Sequence, residues 1–109
     1  MRRTSWLLVL LLAITVINYP NPFNPKGGQW ATFECTSDTN TEAFLYIYDM
    51  SARLITRQTL SLTGGTTTKT AWNGYSDYNE LVGNGIYFYQ LLDSAKKRVS
   101  RGKIWVINN

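Results

Sequence analysis

The chain has 109 residues, a formal net charge of +4, and 14% aromatic against 17% charged residues. This length suits one small domain, and the aromatic content with so little charge excludes an intrinsically disordered chain. The sequence has no histidine and a single cysteine, Cys35, which excludes a disulfide within the chain and removes the usual general base and most zinc sites. We therefore expect a domain that is not an enzyme and that needs no cofactor.

The amino terminus has the pattern of an export signal. Arg2 and Arg3 precede an apolar run at residues 6–17 that is interrupted only by Thr15. As a helix this run would span roughly 18 Å, which is well short of the ~30 Å hydrocarbon core of a bilayer. We assign residues 1–17 to a short hydrophobic helix that serves as a signal peptide or membrane anchor, with a buried strand or helix of the domain as the alternative.

A proline-rich lead-in follows at residues 18–28. Its prolines stand at short spacing in Tyr19-Pro20-Asn21-Pro22-Phe23-Asn24-Pro25. Each proline fixes its own φ and pushes the preceding residue toward an extended conformation. The segment is either a rigid linker that caps the domain or a preordered epitope that presents Tyr19 and Phe23.

Residues 29–109 alternate apolar and polar side chains in short runs between turn sequences, which predicts antiparallel strands. The runs lie at residues 29–36, 43–49, 54–62, 66–72, 86–92 and 99–107. In the third run the leucines and Ile55 have opposite parity, which predicts a β-bulge. The predicted fold is an all-β, immunoglobulin-like antiparallel β-sandwich of six to seven strands around Trp72. Its predicted core comprises Leu45, Ile47, Trp72, Tyr89, Leu91 and Val106.

Three groups of side chains are candidate binding sites. Oxygen ligands in the loop at residues 73–80 do not have the spacing of an EF-hand and suit turn hydrogen bonds, so we predict no metal. A cluster of basic residues at 96–103 is too sparse for nucleic acid and suits a solvated strand edge. The outward row of Phe44, Tyr46 and Tyr48 would bind a sugar or a partner chain, or would pair across strands.

The sequence resembles a known family in five motifs that follow one another in the family's order. The lead-in is similar to the opening of the type A C-terminal sorting domains of the type IX secretion system, which overlap in sequence with the immunoglobulin-like domain of flagellar hook-capping proteins. The other motifs are Leu45-Tyr46-Ile47-Tyr48-Asp49, Trp72-Asn73-Gly74 with Asp77 after it, Gly85-Ile86-Tyr87-Phe88-Tyr89-Gln90-Leu91 and Lys103-Ile104-Trp105-Val106-Ile107. Ala52 and Asn79 stand where the family commonly has glycine, and the turn at Ala52 is expected to differ because alanine tolerates a positive φ poorly.

The resemblance implies a secretion and cell-surface sorting module that the outer-membrane secretion machinery recognises. It implies export through the periplasm to the cell surface or medium, a mature domain that does not span the membrane, and a passenger domain or neighbouring surface protein as a further partner. Recognition would use a sheet edge and the terminal segment 102–109, by strand addition or carboxylate capture. The residues expected to brace the sandwich or to be recognised are Tyr19, Pro20, Asn21, Pro22, Phe23, Gly85, Tyr87, Lys103 and Ile104. The alternatives are a structural or adhesive immunoglobulin-like module that binds a neighbouring protein, and a carbohydrate-binding sandwich.

Overall fold

The computed structural model describes residues 14–109, and within that range it contains strands and no helix. The strands are β1 (Ile14–Tyr19), β2 (Ala31–Ser37), β3 (Thr41–Tyr48), β4 (Leu54–Leu62), β5 (Thr67–Trp72), β6 (Gly85–Leu92) and β7 (Arg98–Val106). The all-β class is confirmed, and β2 to β7 match the predicted runs closely. No helix of the described range is long and apolar enough to cross a membrane.

Strand β1 differs from the sequence-based assignment. The predicted leader spans residues 1–17; residues 1–13 of it lie outside the described range, and Ile14–Ile17 belong to β1 and not to a helix. Contacts with a distant part of the chain explain why this stretch forms a strand. β1 pairs along its length with β2, for example Val16 with Cys35, and Ile14 is buried in the core. The β-branched residues of this stretch suit a strand as well as they suit an apolar leader.

The strands form two antiparallel sheets. A three-stranded sheet has the order β1-β2-β5, and a four-stranded sheet has the order β4-β3-β6-β7. Alternate side chains of both sheets point inward, and all six predicted core residues are buried, Trp72 at 2% exposure. Cys35 also lies in this core, where burial raises the pKa of its thiol to about 11.

A β-bulge in β4 resolves the parity conflict in the sequence. Ile47 pairs with Thr56 and Tyr48 pairs with Leu54, so Ile55 has no partner across the ladder. As a result both Ile55 and Thr56 are buried. The predicted bulge is confirmed, and it lets β4 contribute to the core on both sides of the irregularity.

Two hairpin turns are stabilised by the same pattern of hydrogen bonds to an aspartate side chain. The Asp49 carboxylate accepts hydrogen bonds from the backbone N–H groups of Ser51 and Arg53, both at 2.9 Å. Asp93 accepts the equivalent bonds from Ala95 and Lys97. The turn at Ala52 therefore keeps a left-handed conformation, with φ 65°, despite the missing glycine. The aspartate bonds hold the backbone in place at a position where glycine would carry no steric cost.

Replacing Ala52 with glycine is expected to raise the free energy of unfolding by up to about 1 kcal/mol, because glycine adopts a positive φ without steric cost. Urea denaturation followed by circular dichroism measures the change. The same substitution at Ala95, which has no positive φ, is the control and should not stabilise. A destabilised Ala52→Gly variant would contradict the interpretation.

Candidate recognition site

The separate motifs meet at one end of the sandwich. We call this the motif end, and define it as residues 20–28, 49–53, 73–84 and 107–109 with the strand ends beside them. β1, β3 and β5 end here, while β2 and β6 begin here. The antiparallel registers bring these segments together although they are far apart in sequence.

Phe23 anchors the lead-in in the core. Its side chain is 1% exposed, and its ring centroid lies 5.5 Å from that of Trp72 in a tilted arrangement. Trp72 in turn contacts Tyr87 edge to face at 6.0 Å. Such aromatic pairs are favourable beyond the area they bury. Three of the motifs are therefore held together by one buried aromatic cluster.

The lead-in also pairs with the terminal strand. The Phe23 N–H donates to the Trp105 carbonyl at 2.9 Å, and the Ile107 N–H donates to the Phe23 carbonyl at 3.0 Å. The Asn21 side chain extends this ladder: its Nδ2 donates to the Lys103 carbonyl at 3.1 Å and its Oδ1 accepts from the Trp105 N–H at 2.8 Å. The lead-in thus covers the outer edge of β7. Strand addition to this stretch would require the lead-in to move away.

Asparagine side chains tie the residues after β7 to the same end. Asn24 Oδ1 accepts from the Gly27 and Asn109 N–H groups at 2.9 and 3.1 Å. Asn108 Nδ2 donates to the Val82 carbonyl at 3.0 Å, while the Asn108 N–H donates to Asn84 Oδ1 at 2.7 Å. Sequence analysis did not select Asn24, Asn84 or Asn108. Their repeated occurrence in turn segments was the available signal, since asparagine readily bonds backbone groups.

Gly74 allows the turn after β5 to pack closely against the lead-in. Its φ is +83°, and a Cβ built on it would lie 2.3 Å from the Pro25 Cβ. The corner is closed by a hydrogen bond from the Trp72 Nε1–H to the Tyr75 carbonyl at 2.9 Å. Both the backbone conformation and the close approach to Pro25 require glycine here. This contact was also missed by sequence analysis.

Titratable side chains at the motif end donate or accept hydrogen bonds within the domain. A hydrogen bond to Glu34 raises the pKa of Tyr19, and burial raises the pKa of Tyr87, whose hydroxyl donates to the Gly83 carbonyl at 2.8 Å. The backbone hydrogen bond from Arg53 lowers the pKa of Asp49. At neutral pH both phenols are therefore protonated and the carboxylate is charged. These are the states that the hydrogen bonds need.

Two of the oxygen ligands in the loop at residues 73–80 are used in hydrogen bonds within the domain. Asp77 Oδ1 accepts from the Thr56 hydroxyl at 2.6 Å, and Asn73 Oδ1 accepts from the Tyr75 N–H at 3.0 Å. Asn79 adopts a left-handed conformation with φ 62°. Over residues 14–109, no group of three acidic, histidine or cysteine side chains is placed to hold a metal ion.

The residues expected to brace the sandwich or to be recognised fall into two classes. Phe23, Tyr87 and Ile104 are buried, so they can act only through the fold. Gly85 is half-buried and pairs with Val106 at the start of β6. The exposed residues, which a partner could contact, are Tyr19, Pro20, Asn21, Pro22 and Lys103.

No protein-family model matches the sequence. No curated protein matches it either. Solved structures do share the fold. Dimeric latent PorU from Porphyromonas gingivalis is 22% identical over 93% of this chain and 10% of that chain, with a TM-score of 0.78. PorZ, a surface component of the type IX secretion system of the same organism, is 24% identical over 85% of this chain and 11% of its own, with a TM-score of 0.59.

FlgD from P. aeruginosa is 11% identical, with a TM-score of 0.61, over 87% of this chain and 73% of that one. These likenesses support an immunoglobulin-like β-sandwich fold for the described residues. The chain spans about a tenth of the PorU and PorZ chains it matches.

Proposed function

We propose that this chain is a non-catalytic secretion and cell-surface sorting module, recognised as a folded domain by the outer-membrane machinery of type IX secretion. It would be exported to the periplasm, fold there, and carry itself or a fused passenger to the cell surface. The observation that supports this most directly is the convergence of the five motifs on the motif end. The fold shared with parts of PorU and PorZ is consistent with such a role.

The geometry suggests how recognition would work. Phe23 and the hydrogen bonds of Asn21 hold the lead-in on β7, so the exposed residues of both segments form one continuous surface. A partner that contacts this surface meets a preordered target and pays little conformational entropy on binding. Only a folded domain presents it, which would allow the machinery to select folded proteins.

A reporter fusion tests the proposal. Residues 14–109 contain all seven described strands and the buried core between them, and the fusion keeps all of these. We expect a periplasmic reporter fused ahead of Ile14, behind a separate export signal, to reach the surface of a type IX-competent bacterium and not that of a strain lacking the translocon. Protease accessibility on intact cells measures it. A reporter that stays in the periplasm of the competent strain would count against sorting.

Replacing Asn21 with alanine separates recognition from stability. The substitution removes both side-chain bonds to β7 and should cost about 1–2 kcal/mol of unfolding free energy, because each hydrogen bond contributes about 1 kcal/mol. We expect the fraction of reporter at the surface to fall several-fold. The control is Asn40→Ala, which removes the bond from the Gly64 N–H at the opposite end of the sandwich. If the two variants bring equal fractions of the reporter to the cell surface, the motif end only stabilises the fold.

A structural or adhesive module remains the second candidate, favoured by the FlgD likeness, which extends over 73% of that chain. Trimming residues 102–109 would not distinguish the two functions, because it would remove Ile104 and Val106, each 0% exposed, from the core. The Asn21 and Asn40 pair is the better discriminator. A purely structural role would respond to the two substitutions only through stability.

A further inference from the structure

The outer faces of the two sheets differ in chemistry at their centres. On the three-stranded sheet, the outward positions of β2 and β5 carry Thr32, Glu34, Thr36, Thr67, Lys69 and Ala71, and the edge strand β1 adds Thr15, Ile17 and Tyr19. On the four-stranded sheet, the outward positions of the central strands β3 and β6 carry Phe44, Tyr46, Tyr48, Ile86, Phe88, Gln90 and Leu92. A solvated sheet face normally alternates to polar residues, as β2 and β5 do. The second face is apolar where a solvated face would be polar.

The apolar side chains of this face pair with one another and yet stay half-exposed. Tyr46 and Tyr48 stack with ring centroids 6.1 Å apart. Trp105 on β7, which pairs with Ile86, is 49% exposed. Cross-strand pairing therefore accounts for part of the row, as expected from the sequence. It does not bury the row, and contiguous exposed apolar surface of this kind is typical of interaction sites.

Positive charge surrounds the apolar face. Arg57, Tyr46, Gln90 and Arg101 form one row across all four strands. In the same outward set Lys103 lies opposite Phe88 and Arg98 lies opposite Leu92, while Lys96 Nζ is 4.4 Å from the centre of the Phe44 ring.

Negative charge is nearly missing from the same face. Glu42, at the start of β3, is the acidic residue among the outward positions of these four strands. Asp49 and Asp93 lie in the hairpins at opposite ends of this face, where their carboxylates accept backbone hydrogen bonds. The face is therefore complementary to an acidic surface.

Two grooves flank the ridge of Phe88 and Gln90. One groove, of about 390 Å³, lies along β6 and β7 and is lined by Arg101 and Lys103. The other, of about 250 Å³, is lined by Tyr48 and Met50 and also by Asp49, whose carboxylate accepts backbone hydrogen bonds. The first groove, with apolar walls and cations at its rim, suits a chain whose side chains alternate between apolar and acidic, and the second suits an apolar side chain.

We propose that the outer face of the four-stranded sheet docks an acidic protein segment of the secretion machinery. This inference rests on the proposed function and adds to it a second contact surface and the charge of the partner. Apolar side chains of the segment would enter the two grooves. Its carboxylates would meet the row of Arg57 and Arg101. A protein segment is favoured over a polysaccharide because most of the lining is apolar.

The sorting test uses two sets of charge changes in the reporter fusion. Arg57→Glu with Arg101→Glu reverses the row on the docking face. Lys69→Glu with Thr15→Glu and Thr63→Glu makes the same change in net charge at exposed positions outside the docking face and the motif end, where Lys69 has only a solvent-exposed contact of 3.9 Å with Glu34. We expect the first variant to bring about tenfold less reporter to the cell surface, because like charges would meet at the contact. The control is expected to sort like the wild type. Urea denaturation should show both variants folded.

The outcomes are separable from those of the proposed function. If the unmodified fusion is not sorted, the proposed function fails. If it is sorted and the row reversal sorts equally well, the docking face is wrong. If the control falls as far as the row reversal, the effect is one of net charge, and the inference is again overturned.

A binding measurement tests the class of partner. The purified full chain is added to outer-membrane fractions from the type IX-competent strain, with and without prior protease treatment. We expect binding that protease removes and that weakens at high salt, since exposed ion pairs are screened there. Binding that survives protease would identify a polysaccharide or lipid ligand and overturn the protein assignment. Binding that is equal for the row reversal would place the contact elsewhere.

Discussion

Replacing Phe23 with alanine is expected to lower the free energy of unfolding by about 4 kcal/mol, the usual cost of truncating a buried phenylalanine. Phe23 is the apolar anchor of the lead-in, 1% exposed and in contact with Trp72. The loss comes from the cavity beside Trp72 and from freeing the lead-in, whose two backbone bonds to β7 depend on this anchor. Small domains are stable by only about 5–15 kcal/mol, so the variant should be close to unfolding.

Urea denaturation followed by far-ultraviolet circular dichroism measures the effect. Tyr78→Ala is the matched control, since it also removes an aromatic ring, one that is 86% exposed. It should change stability by less than about 0.5 kcal/mol. A Phe23→Ala variant as stable as this control would mean that the lead-in does not hold the motif end together.

Replacing Gly74 with alanine is expected to cost about 3 kcal/mol, from two sources. The backbone φ of +83° is unfavourable for any residue with a Cβ, and the added methyl would lie 2.3 Å from the Pro25 Cβ. Because Pro25 belongs to the rigid lead-in, the contact can be relieved only by shifting that segment off the corner. The variant should therefore be less stable, and its lead-in should no longer pack against the corner.

Gly65→Ala provides the control for the backbone term. Gly65 has a similar φ of +79°, and a Cβ built there meets no atom within 4 Å. It should cost about 1 kcal/mol, the penalty of the left-handed conformation alone. The difference between the two variants measures the packing of the corner on Pro25. Equal losses would show that this packing contributes nothing.

Both substitutions are also expected to abolish sorting if the motif end is the recognised surface, because each one displaces the lead-in from β7. The row of Arg57 and Arg101 on the proposed docking face lies apart from Phe23 and Gly74, since Arg101 pairs with Gln90 while Phe23 bridges Val106. Its charge reversals are expected to leave stability unchanged and to affect only recognition. The two sets of variants thus test different requirements of the same process.

The strand positions followed from the sequence because alternation of apolar and polar side chains is a local property. Residues 43–48 show this best: Ala43, Leu45 and Ile47 are buried, while Phe44, Tyr46 and Tyr48 face outward. The parity conflict at Ile55 likewise predicted the bulge without knowledge of its partner strand. Both patterns arise from the two-residue period of a strand, which the order of residues encodes directly.

Strand β1 and the role of the lead-in could not be derived in this way. Ile14–Ile17 carry the same apolar residues whether they continue a leader or pair with β2, and only the presence of β2 decides between the two. The buried position of Phe23 depends in the same way on Trp72 and Val106, which lie far away along the chain. The sequence by itself determined strands β2 to β7, their inward faces and the bulge. The tertiary structure decided which edge the lead-in covers and which motif residues remain exposed, because contacts between distant segments depend on how the sheets close.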